Sequence, residues 1–108
     1  MAQNENAEKI GAAWALHRQG KNDKAIEAFY AVARADSNSY DALYGLGLAQ
    51  RAAGMKDGAV KSFQDSLSIV NKLLMTHPGE DRYEIMQRMI SQRLAELGSP
   101  ATGTHARA

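Results

Sequence analysis

Apolar residues recur along most of this chain at steps of three and four, the spacing that collects them on one side of an α-helix. Between about Ala7 and Gln19 the apolar set is Ile10, Ala13, Trp14 and Leu16. Gly20 follows at once, where a left-handed residue closes a helix without steric cost. A second stripe, from about Asp23 to Ala35, holds Ala25, Ile26, Phe29, Val32 and Ala33. Asp36-Ser-Asn-Ser39 is a cluster of turn and N-cap residues, so the chain turns there. A third helix is expected from about Tyr40 to Ala53, ending at Gly54. The fourth begins near Asp57 and shows Ala59 or Val60, Phe63, Leu67, Val70 and Leu74 through about Met75, which makes it the longest. His77-Pro-Gly79 stops it, because proline lacks a donor and disfavours helix in the residue before it. The fifth opens near Glu80 and Asp81, acids suited to the positive end of a helix dipole, and runs to about Leu97. Its apolar set is Tyr83, Met86, Met89, Ile90, Leu94 and Leu97. Nothing reads as strand.

This pattern places one helical domain over residues 7–98. Residues 1–6 are expected to be frayed, and residues 99–108, without periodicity and poor in apolar side chains, to be a mobile tail. The chain has 108 residues, enough for one modest core. Its 13 basic and 12 acidic residues are scattered, a balance that argues against nucleic acid, whose binding needs a concentrated cationic face. There is no cysteine, which excludes disulfides and thiolate metal sites. No apolar run approaches the roughly 18–20 residues of a membrane span. The start, Met1-Ala-Gln-Asn-Glu-Asn6, lacks the basic and apolar regions of a signal peptide, so cytoplasmic residence is the expectation.

The stripes repeat. Gly20, Ala25 and Phe29 return 34 residues later as Gly54, Ala59 and Phe63. Upstream, Ala13-x-x-Leu16-x-x-x-Gly20 is answered by Gly47-x-x-Gln50-x-x-x-Gly54. In this period and these residue types the chain resembles the tetratricopeptide repeat family, whose unit is a helix–turn–helix. The resemblance implies an all-α, right-handed α-solenoid of two units, at about residues 6–39 and 40–75. Ala13 and Gly47 would be the small residues that let two helices approach, with Ala25 and Ala59 in the matching role on the second helix. Phe29 and Phe63 would be the large knobs between units. Leu43 and Leu46 also match, whereas Lys9 and Ala12 are the poorer fit expected of a terminal repeat. Ser37 and Asn71 stand where the family's unit-ending proline is usual. A third unit in strict register fails, since Asp81 and Arg88 would fall on the small and glycine positions. Shifted by ten residues it succeeds, because Ser91-x-x-Leu94-x-x-x-Gly98 copies the earlier spacing. The fifth helix, about residues 80–97, therefore reads as a lone first helix capping the stack.

Chemistry of the catalytic kind has little support. His17, His77 and His105 fall on different segments with no metal-ligand or acid–histidine spacing, so neither a metal site nor a catalytic residue is expected. The glycines sit at helix ends or helix contacts; Gly45-Leu-Gly47 does not follow a strand, and no phosphate or other cofactor site is expected. In the family the first helices of each unit line a concave groove. Carried over, its lining is Ile10, Trp14 and His17, then Asp41, Tyr44, Leu48 and Arg51, then Ile85, Arg88, Met89 and Gln92. Trp, Tyr, Met and Arg are the residues of binding hot spots. Trp14 and Tyr44 could equally pack as plain core. Met75, Met86 and Met89 fit either a core or an adaptable contact surface. The family's carboxylate clamp is ruled out, because Ile10, Trp14, Gly45, Ile85 and Met89 occupy its positions. The resemblance thus implies a non-enzymatic interaction module that holds a peptide or helix of a protein partner, with no nucleic acid and no membrane span. Its rival is a self-assembly unit in which the same surface makes a homo-oligomer.

Overall fold

A computed structural model describes residues 2–99. They form five helices: α1 (Ala2–Arg18), α2 (Asn22–Ala35), α3 (Tyr40–Ala52), α4 (Lys56–Thr76) and α5 (Asp81–Glu96). There is no strand among the described residues, so the architecture is the all-helical repeat fold expected. The sequence pattern placed the start of the first helix at Ala7, five residues late, because its polar first turns carry no apolar stripe. Residues 2–6, expected to be frayed, lie within α1, and Glu5 in its first turn suits the helix dipole. The expected tail lies, apart from Ser99, outside the described residues.

Each helix packs on the next in the chain, with a smaller contact between α1 and α3. The helix ends show the repeat most directly. At the close of α1, Lys21 N–H donates to the Leu16 carbonyl at 3.0 Å and Gly20 N–H to that of His17 at 3.0 Å. The close of α3 repeats this with Met55 to Gln50 at 2.8 Å and Gly54 to Arg51 at 3.0 Å. In α5, Ser99 donates to Leu94 at 2.9 Å and Gly98 to Ala95 at 3.0 Å. This paired closure needs a left-handed residue, and Gly20 and Gly54 supply it at φ 77° and 81°. Helices α2 and α4 end otherwise, the first at the extended Asp36 and the second at His77. By its ending, α5 belongs with α1 and α3.

Two apolar clusters fill the interior. One joins Ala13, Ala25, Phe29, Leu46 and Ala49 from α1, α2 and α3. The other joins Tyr44, Ala59, Phe63, Leu67, Val70, Tyr83, Ile90 and Leu94 from α3, α4 and α5. Ala25 and Ala59, the small positions of the repeat, are both fully buried. The aromatic knobs sit on glycines: a Cβ at Gly45 would overlap the Phe29 ring, and one at Gly47 would lie 2.5 Å from Phe63 Cε1. Alternating small and large residues thus set how closely α3 approaches its two neighbours.

Candidate functional site

The first helix of each unit and α5 lie side by side. Tyr40, at the start of α3, meets Tyr83, near the start of α5, edge to face at 6.0 Å. At the other ends Arg51 Nη1 donates to Glu96 Oε1 at 3.0 Å. With starts beside starts and ends beside ends, α3 and α5 run parallel. Trp14 ties α1 to α3 in the same layer, its ring 6.5 Å from that of Tyr44 and its side chain near enough to Asp41 to favour the carboxylate form.

Trp14 is half-buried and packs against both interior clusters, so it closes the seam between them. Phe29 lies beneath it, edge to face at 4.9 Å, and His17, half-buried, flanks it at 6.0 Å. The two sequence readings of Trp14 therefore meet in one residue, part core and part surface. Tyr44 does not divide in this way. Expected on an exposed groove, it is only 6% exposed, because its ring lies between Trp14 and Phe63 in the cluster completed by α5. Burial raises its phenol pKa above the ordinary value, opposed by Arg93 and Arg51 and assisted by Glu96. Arg51, expected as a free orienting charge, is held by Glu96, and Arg93 Nη2 donates to the same carboxylate at 2.9 Å.

The remaining expected residues are at the surface in graded degree. Ile10 and Leu48 are half-buried, while Ile85, Arg88, Met89 and Gln92 on α5 are exposed. Exposure of 48% for Ile85 and 39% for Met89 is high for large apolar side chains one turn apart. Met75 at 81% is more exposed still, at the end of α4. Burial raises the Asp41 carboxyl pKa, and the polar edge of the nearby Trp14 partly offsets it. For Tyr40 burial again leads, with the charge of a neighbouring Tyr83 phenolate adding to the rise and Arg82 opposing it.

Residues 41–68 match the family model of the tetratricopeptide repeat. The matched stretch takes in most of α3 and more than half of α4, which supports the resemblance drawn from the 34-residue period. No curated protein and no solved structure matches the chain. As a family, the repeat is a protein-interaction unit. No group of three or more His, Asp or Glu that could hold a metal exists among the described residues. No helix among them is long and apolar enough to cross a membrane.

Two clefts fall outside the expected groove. One, of about 530 Å³, opens at the α1–α2 turn around Gly20, Lys21 and Lys24. The other, of about 390 Å³, lies between α2 and α4 over α3. Reading along stripes missed the second, since Tyr30, Arg34 and Lys61 lie off the buried faces of their helices. Tyr30 was the available signal: an aromatic ring in α2 that belongs to no apolar stripe.

Proposed function

We propose that the chain is a non-enzymatic protein-interaction module that holds a helix or extended peptide of a partner against the face made by α1, α3 and α5. In this reading the units span about residues 6–39 and 40–75, and α5 both caps the stack and extends the face. The observation that carries it is the half-buried Trp14 at the seam, with half-buried Leu48 packed on one of the same clusters and Ile85 and Met89 exposed on α5. Tyr44 is the floor of this face and works by rigidity. Ile10, Trp14, His17 and Leu48 supply apolar contact; Arg88 and Gln92 at the rim set orientation. Arg51 acts only indirectly, through its pair with Glu96. A cytoplasmic setting fits this role.

Selection of displayed random peptides on the intact chain tests the reading. Met89→Glu and Ile85→Glu change exposed residues, so the fold is expected to survive with an unaltered melting temperature. Loss of an apolar hot spot costs about 2 kcal/mol or more, roughly a thirtyfold fall in affinity. Peptides that bind both variants as well as the parent chain would move the binding surface elsewhere. The exposed pair on α5 also makes self-association the second reading. A dimer in a concentration series, dispersed by Met89→Glu, would establish that reading instead.

A further inference from the structure

We propose that the cleft between α2 and α4 is a second docking site, for a peptide segment that carries an acidic residue beside a bulky apolar one. It is independent of the face made by α1, α3 and α5, and no residue is shared. Helices α2 and α4 both pack on α3, which makes them the two walls of a channel with α3 as its floor. The floor is apolar, from Leu43 and the buried Leu46, and Ala33 continues it up the α2 wall. Tyr30 stands at the edge, 53% exposed.

The polar groups decide the occupant. Lys61 on the α4 wall is already neutralised by Asp65 at 2.9 Å. Arg34 on the α2 wall has no carboxylate partner among the described residues; its guanidinium lies 5.8 Å from the centre of the Tyr30 ring. The uncompensated charge of the cleft is therefore positive and held in place by an aromatic face. Gln50 adds a second donor. Its Oε1 accepts from Ser62 Oγ at 2.6 Å, which fixes the amide and leaves its NH2 without an acceptor among the described residues. Gly58 keeps room for that amide. It has an ordinary helical φ, so its backbone does not demand glycine, yet a Cβ there would stand 3.0 Å from Gln50 Nε2. Two oriented donors beside an apolar floor match a carboxylate next to an apolar side chain. A volume of about 390 Å³ suits a short segment of chain, not a whole helix.

Displayed random peptides selected on the intact chain, with rebinding to Arg34→Glu, test this proposal. Arg34 and Tyr30 are exposed, so both can be changed without disturbing the core. The expected pool binds the parent chain, fails on Arg34→Glu, and pairs Asp or Glu with Phe, Trp or Leu. Replacing the acid by its amide in such a peptide weakens binding about tenfold, and Tyr30→Ala does the same. On binding, backbone NMR signals of Ala33, Leu43, Gln50 and Gly58 move, while Met89→Glu leaves affinity unchanged. If every selected peptide still binds Arg34→Glu, or acid-free versions bind equally well, the proposal is overturned and the α1–α3–α5 reading stands. Peptides lost on Met89→Glu and kept on Arg34→Glu also overturn it, since they sit on that other face. Absence of any binding peptide counts against both.

Discussion

Asp41 is pulled two ways. As an acid in the first turn of α3 it complements the helix dipole, and the nearby Trp14 side chain also favours its charged form. Burial acts against its charge and is the larger effect, so its pKa rises above the ordinary 3.8. The folded chain then holds this proton more tightly than the unfolded chain does. Stability from this group is accordingly greatest at low pH and is lost as pH rises through the raised pKa. An asparagine in its place would keep the size and polarity of the side chain and carry no charge. Asp41→Asn is therefore expected to melt higher than the parent at about pH 7, with the gap closing as pH falls below the ordinary carboxylate range. Melting curves across that range check the sign. A variant that melts lower at neutral pH would mean that the dipole outweighs burial here.

At the scale of the element, two glycines inside helices make opposite predictions. A Cβ at Gly47 would press on Phe63, which is fully buried and has no free direction to move. Overpacking of that kind costs about 1–3 kcal/mol, more than the roughly 1 kcal/mol that alanine adds to helix propensity. Gly47→Ala should lower the melting temperature. At Gly11, in the exposed part of α1, a Cβ would meet nothing within 4 Å. Gly11→Ala should raise stability by about 0.5–1 kcal/mol. Thermal melts of the two variants beside the parent give the comparison. What was legible in the sequence lies at this scale. Helix ends, the small positions Ala25 and Ala59, and the kinship of α5 with α1 and α3 all follow from local spacing. What was not legible depends on distant partners. Tyr44 is buried only because α5 and Trp14 meet over it, and Arg51 finds Glu96 45 residues away. The start of α1 was missed because its polar turns have no stripe to show. The α2–α4 cleft arises from residues that no single helix marks as important.

For the whole molecule the question is what holds α5 to the stack. Its polar link to α3 is the Arg51–Glu96 pair, whose side chains are 38% and 42% exposed. Such a pair contributes about 0–1 kcal/mol. Its apolar link is larger. Tyr83, Ile90 and Leu94 are buried against α3 and α4, and each contributes roughly 1.5–3 kcal/mol. That sum is comparable with the whole net stability of a small domain, about 5–15 kcal/mol. Removing α5 would also strip cover from Tyr44, Phe63, Leu67 and Val70, which share its cluster. A chain ended at Thr76 is therefore expected to lose its cooperative thermal transition and to bind apolar dyes or aggregate. Arg51→Ala, by contrast, should melt within a few degrees of the parent, since it removes only the exposed pair. The two variants separate packing from charge as the force that closes this end of the stack. A fragment of residues 1–76 that melts cooperatively as a monomer would show that the two helical pairs suffice, and that α5 is an appendage to a core already complete.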